Sequence, residues 1–261
     1  MRNLKLTLAY DGTDFCGWQV QPGQRTVQAT VEQTLHTITG EEIRVVASGR
    51  TDSGVHAFGQ VISFPTDSKL PVESLLRAMN AELPEDVRIQ KIEEAPADFH
   101  ALRSAVCKRY RYTIDNGRVD DLFDRRVAWH IPVPLDVEAM QRAANLLIGR
   151  HDFSSFESVG AERASSVRTI SALAVSRCQR VERWQGGQPG QGGEGELVNI
   201  EIEADGFLYN MVRAIAGTLV EVGRGAKREA WVGEVLQALD RKQAGMTAPA
   251  QGLTLVWVRY E

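Results

Sequence analysis

An α+β fold over an antiparallel or mixed sheet is the class this sequence predicts, and three observations carry it. Segments that alternate at the strand period are interleaved with segments that repeat at helical spacing. The first hundred residues read as strand, helix, hairpin, helix and strand, and the rest of the chain resembles that outline. Leu4, Leu6 and Leu8 alternate with Lys5 and Thr7, which predicts a half-buried strand. Val27, Val31, Leu35 and Ile38 predict a helix from about Thr26 to Gly40. EIRVVASG and HAFGQVISF, rich in β-branched and aromatic residues, flank the turn sequence Asp52-Ser53-Gly54 and predict a hairpin. Val72, Leu75, Leu76, Met79 and Leu83 give a helix between Pro71 and Pro84, and VRIQKI another strand.

In the second part CKRYRYTI alternates as a strand, and Asp136 caps a helix through Met140, Ala144 and Leu147 that stops at Gly149. ISALAVSR and ELVNIEIEA read as strands flanking a flexible Gly-rich loop over 185–195. Helices are expected at Phe207–Val222 and Arg228–Leu239, before the closing strand LTLVWVRY. The division is expected near residue 100, giving an N-terminal half, 1–100, and a C-terminal half, 101–261, with a cleft between them as the usual place for a ligand.

A chain of 261 residues with 43% hydrophobic and 25% charged residues has ample core for one large domain or two smaller ones. Cys16, Cys107 and Cys178 lie far apart with no CxxC pair, so neither a disulfide framework nor a cysteine zinc site is expected, and the usage fits a reducing cytoplasm. MRNLKLTLAY lacks an apolar signal core and no run reaches membrane-span length, which argues against secretion and insertion. A net charge of −4 argues weakly against a nucleic-acid partner, but the distribution is uneven. Glu82 to Asp98 holds six acids against Arg88 and Lys91, Arg163 to Arg183 holds five arginines against Glu182, and Arg103 to Arg126 is basic on balance. Such polarity suits an anionic polymer.

GRTDSGVHA, residues 49–57, sets Arg50, Asp52 and His56 close together at the expected hairpin tip. A solvated Asx-turn would explain Asp52 alone but needs neither the arginine nor the histidine. A second oddity is Arg213, on an expected helix whose apolar face is Leu208, Met211, Val212, Ile215 and Leu219. It shares its side with Tyr209, Asn210, Ala216 and Gly217, the last two small enough for a backbone or a substrate to approach. Unless it snorkels to solvent, that cation needs a partner. Alternation sends Tyr110 and Tyr112 to one face of their strand and Arg109 and Arg111 to the other. That interleaving suits base stacking, worth roughly 1–3 kcal/mol per base, with phosphate contact, and equally suits tyrosines packed into a core.

Other reaction classes fit poorly. GxxxxGK[ST], HExxH and GxSxG are absent, and His36, His56, His100, His130 and His151 show no metal-ligand spacing. Asp52-Ser53-Gly54 matches the turn of an aspartic protease, but that chemistry needs two carboxylates sharing a proton and the chain has one such tripeptide. Arg50 beside it would lower the aspartate's pKa instead.

GRTDSGVHA, together with YDGTDFCGWQVQ, GQVISF, DFHALRSAVCKRYRYTI, DFSSF, VRTI, FLYNMVRAIAGTLVEVG and GLTLVWVRY in that order, resembles the tRNA pseudouridine synthase A family along almost the whole chain. The Gly-rich insertion is the largest departure. The resemblance implies the pseudouridine synthase fold, two related α/β-sandwich-like halves with mainly antiparallel sheets around a basic central cleft, and a homodimer without cofactor or metal. It implies isomerisation of uridine to pseudouridine at positions 38, 39 and 40 in the anticodon stem-loop of tRNA. Asp52 corresponds to the nucleophile, Tyr110 to the tyrosine that stacks on the target uracil, and Arg213 to the arginine paired with the carboxylate. Arg50 and His56 lie in matched motifs with substrate or scaffold roles. Attack on uracil C6, attack on C1′ and an assisted elimination to a glycal all remain open. The competing readings are a non-catalytic RNA-binding or folding protein on the same halves, and a synthase acting on another RNA.

Overall fold

Strict alternation along the first strand governs the N-terminal part of the computed structural model, which describes residues 1–158, 160, 165–178 and 197–261. In β1 (Arg2–Tyr10) Leu4, Leu6, Leu8 and Tyr10 are buried while the residues between them are half-exposed, as a strand with one face on a core requires. Helix α1 (Val27–Thr39) buries Val27, Val31 and Leu35; the Thr26 hydroxyl accepts from the Ala29 N–H at 3.4 Å at its start, and Gly40 ends it. Strands β2 (Val46–Ala47) and β3 (His56–Thr66) follow, then α2 (Val72–Glu82), which buries Leu75 and Met79, and β4 (Val87–Ala95). β1 runs antiparallel to both β3 and β4.

Two features depart from expectation. The antiparallel pairing of β2 with β3 joins Val46 to Ser63 and Ala47 to Ile62, so 48–55 is an eight-residue connection and not a tight hairpin tip. The closing strand, Leu253–Arg259, was grouped by sequence order with the C-terminal half. It pairs in parallel with β3, Thr254 opposite His56 and Leu255 opposite Ala57. One compact unit is therefore Met1–Lys108 with Thr254–Glu261, and the other is Arg109–Leu253. Alternation identifies a strand but carries no information about a partner nearly 200 residues away in the chain.

Strand β5 (Cys107–Asp115) leads into the second unit, followed by β6 (Trp129–His130), α3 (Val137–Ala144), β7 (Gly149–Asp152), β8 (Val167–Cys178), β9 (Leu197–Ala204), α4 (Met211–Gly223) and α5 (Trp231–Ala238). Its sheet runs β5-β9-β8-β7, with β7, β8 and β9 antiparallel and β6 parallel to β5. Asp136 caps α3 as expected, its carboxylate accepting from the Ala139 N–H at 2.9 Å. Helix α4 starts four residues later than the expected Phe207, because Asn210 takes a left-handed φ of 61° and a turn holds Leu208 to Met211. Tyr209 is therefore not on the helix, and α5 likewise starts at Trp231 and not Arg228. The Gly-rich stretch 185–195 lies outside the described residues, as do Arg163, Arg180 and Arg183. No helix among the described residues is long and apolar enough to cross a membrane.

Candidate active site

The eight residues between β2 and β3 are fixed from several directions. Val55 donates to the Asp52 carbonyl at 3.1 Å, closing a turn whose third position, Gly54, has φ 77°, a conformation that favours glycine. The neighbouring segment Tyr10–Trp18, within YDGTDFCGWQVQ, holds this turn: Trp18 N–H donates to the Thr51 carbonyl at 3.0 Å, and the Ser53 hydroxyl and Gly54 N–H reach the Phe15 carbonyl at 3.1 and 3.4 Å. Asp52 is left half-exposed and Arg50 exposed. His56 is 4% exposed; its Nδ1 accepts from the Gly12 N–H at 3.0 Å and lies 3.2 Å from Asp11 Oδ1, so the imidazole ties the Asp11-Gly12 turn to the start of β3.

Beneath the loop lie groups that sequence reading did not single out. The Tyr10 hydroxyl is 2.8 Å from Thr51 Oγ1, and burial pushes its phenol up to about 12. Gln60, fully buried on β3, donates to the Gly49 carbonyl at 2.9 Å and accepts from the Ser48 hydroxyl at 2.7 Å and the Val61 N–H at 3.1 Å. Lys108 donates to the Ser48 carbonyl at 2.6 Å. The available signal was that all three residues stand inside motifs shared with the family and that Tyr10 ends an alternating apolar run.

In the second unit β5 keeps its alternation, with a different consequence for each face. Tyr110 packs edge-on against Phe207, ring centres 4.9 Å apart at 80°. Tyr112 is fully buried, its hydroxyl donating to the Pro249 carbonyl at 2.8 Å, and burial raises its phenol above the usual range against a smaller opposing effect of Arg213. On the opposite face Arg109 Nε donates to Glu203 at 2.8 Å and Arg111 to Glu201 at 2.9 and 2.7 Å. Thr113 meets Asn199 at 3.1 Å in the same series, one number rising as the other falls, the register of an antiparallel pair. The two arginines expected to face phosphate are thus matched to carboxylates of β9. Three of the six acids of the acidic flank are matched as well, Asp86 by Arg25 at 2.7 Å, Glu94 by Arg2 at 2.7 Å and Glu93 by Lys5 at 3.6 Å.

Arg213 stands in the first turn of α4, where the helix dipole disfavours a cation. Oxygens compensate: Nε donates to the Ala248 carbonyl and Nη1 to Asn210 Oδ1, both at 2.7 Å. The close approach foreseen at Gly217 is made by backbone, since a Cβ there would lie 1.9 Å from the Met246 carbonyl oxygen. Arg50, Asp52 and His56 belong to the first unit, and Tyr110 and Arg213 to the second.

Comparison with known proteins agrees with the motifs. A family model described as tRNA pseudouridine synthase matches residues 7–102 and 143–261. Proteins named tRNA pseudouridine synthase A are 48% identical over 260 residues in Brevibacillus brevis and 44% identical over 260 residues in Acetivibrio thermocellus, each match covering 100% of both chains. A third of that name, from Moorella thermoacetica, is 47% identical over 98% of this chain and 99% of its own.

Proposed function

The chain belongs to the tRNA pseudouridine synthase family, and from that premise we propose that it isomerises uridine to pseudouridine at positions 38, 39 and 40 of the tRNA anticodon stem-loop. The reaction breaks the bond from ribose C1′ to uracil N1 and remakes it from C1′ to C5. The hydrogen at C5 leaves as a proton and N1 regains one, so the product is an isomer with no net oxidation. Such chemistry calls for a nucleophile that is charged at neutral pH and then departs. An aspartate, with a reference pKa of about 3.9, meets both needs.

Asp52 is the nucleophile in this reading, Arg213 the cation that pairs with its carboxylate, and Tyr110 the ring that holds the target uracil once it has been flipped from its stack. The observation that carries the assignment of Asp52 is the way its loop is built: the backbone of Thr51, Asp52 and Gly54 is hydrogen-bonded on each side while the aspartate itself stays half-exposed. A carboxylate on so constrained a backbone is oriented before substrate arrives. Supporting Arg213, the guanidinium and the N-terminus of α4 reinforce one another as a positive site suited to a carboxylate. Arg50, exposed next to Thr51, is assigned to RNA contact, and His56 to the scaffold. A cytoplasmic homodimer completes the proposal.

The test incubates the protein with undermodified tRNA and maps pseudouridine. Asp52→Asn should form none while still binding tRNA, and substantial turnover by that variant would remove the nucleophile role. Modification only outside positions 38 to 40, or only of another RNA, would overturn the substrate assignment.

A further inference from the structure

We propose that Tyr10 and Gln60 form a polar clamp that positions Asp52, an inference that rests on Asp52 being the nucleophile. Gln60 is fully buried and all four hydrogen-bonding valences of its amide are used. The Gly49 carbonyl can only accept and the Val61 N–H can only donate, so the orientation of that amide is set by its partners. The second amide hydrogen points to the Tyr10 hydroxyl at 3.5 Å, and that hydroxyl is 2.8 Å from Thr51 Oγ1. Gly49 and Thr51, on either side of Arg50, are thereby held from β3 and β1 respectively. Arg50 is left outside, and Asp52 is the next residue after the clamped Thr51.

The arrangement exceeds what burial alone asks. Tyr10 already fills its place with a ring 6.2 Å from that of Trp18. A phenylalanine would pack there equally well, and Thr51, 6% exposed, would be replaced in shape by valine. The hydroxyls of both add direction: they tie the Thr51 side chain to β1 and, with the Trp18 N–H on its carbonyl, hold Thr51 at two points immediately before Asp52. Both residues act through the loop and touch no reacting atom, so each is a positioning residue.

The experiment is a double-mutant cycle on the full chain with unmodified tRNA as substrate, using Tyr10→Phe, Thr51→Val and both together, with Gln60→Glu as an independent variant. Each single change should lower kcat by about 10- to 100-fold, the range expected when a catalytic group is displaced by an ångström or less, with KM for tRNA within about twofold. The double variant should lose no more than the worse single one, because both remove the same contact. Gln60→Glu keeps the shape but sets an oxygen against the Gly49 carbonyl oxygen, and its kcat should recover as the pH is lowered and the carboxyl regains a donor. A purely structural role would lower melting temperature and active fraction without separating kcat from KM and without that pH response. Turnover within twofold of the parent in folded Tyr10→Phe and Thr51→Val, or losses that multiply in the double variant, would overturn the clamp. Should the tyrosine variant fail to fold, Thr51→Val and Gln60→Glu decide it. Activity in Asp52→Asn would remove the reading beneath; an inactive Asp52→Asn alongside fully active clamp variants removes the clamp alone.

Discussion

Gly12→Ala is the substitution through which the geometry of the Asp52 turn is most directly probed. A Cβ at residue 12 would stand 2.0 Å from the carbonyl oxygen of Val55 and 2.6 Å from its carbon. A tolerable carbon to oxygen approach is about 3.3 Å, so the two backbones must part by roughly 1.3 Å. Val55 closes the turn onto the Asp52 carbonyl at 3.1 Å, and the Gly12 N–H holds His56 at 3.0 Å, so the displacement passes to both ends of the motif. Overpacking of this kind costs about 1–3 kcal/mol, or a melting temperature lower by roughly 3–10 °C in a chain of this size. A shift of about an ångström at a catalytic group costs on the order of 100-fold in rate. Release of tritium from C5 of labelled uridine in tRNA measures turnover, and a thermal melt measures the folded fraction. Folded Gly12→Ala protein with kcat within twofold of the parent would refute the idea that the Tyr10–Trp18 segment sets the position of Asp52.

Two other perturbations follow from the contacts. Because Arg109 and Arg111 are engaged with Glu203 and Glu201, Arg109→Gln and Arg111→Gln should each change the slope of log Kd against log salt for tRNA by well under the roughly 0.9 expected of a lost phosphate contact; a full unit for either would return it to the RNA surface. Burial raises the phenols of Tyr10, Tyr112 and Tyr260, Tyr10 to about 12 from 10.0, so the folded state holds these protons more tightly than the unfolded one. The resulting stability is fully present below pH 10; the Tyr10 share, roughly 3 kcal/mol, is lost as pH rises from about 10 towards 12, and the shares of Tyr112 and Tyr260 are lost only at higher pH still. Alkaline titration followed by tyrosinate absorbance should show these phenols ionising only together with unfolding, and their smooth ionisation in protein that keeps its circular dichroism would contradict the burial argument.

What was legible in the sequence is what is local. Thr26 and Gly40 bound α1, Asp136 caps α3, and Leu4, Leu6, Leu8 and Tyr10 alternate into a core, because caps and periodicity act over a few residues. Pairing is not local, so the closing strand was grouped with the wrong unit. The start of α4 was misread because the apolar spacing of Leu208, Met211 and Val212 continues through a turn at Asn210 that spacing alone cannot distinguish from helix. For the ion pairs of β5 a signal was present and unread: Glu201 and Glu203 alternate on one strand as Arg109 and Arg111 do on another, and matched alternation of opposite charge is what a shared sheet face requires.

Asp52 stands out in the sequence because its neighbours are chemically unusual for a turn, whereas the groups that hold its loop do not, since Tyr10 lies 41 residues from Thr51. Apart from the Ser48 N–H on the Val61 carbonyl at 2.8 Å, eight residues outside any ladder leave most of their backbone groups without sheet partners, and where such a loop is packed on two strands those groups need others. An apolar floor would leave the Gly49 carbonyl and the Ser48 hydroxyl unpaired at a cost of about 1–3 kcal/mol each. A polar floor satisfies them, and because each Gln60 bond has one admissible direction it also selects one loop conformation among many. The need to satisfy a buried loop and the need to aim a carboxylate are met by the same side chains. Substitutions at Tyr10 and Gln60 should therefore reduce turnover even where the fold survives.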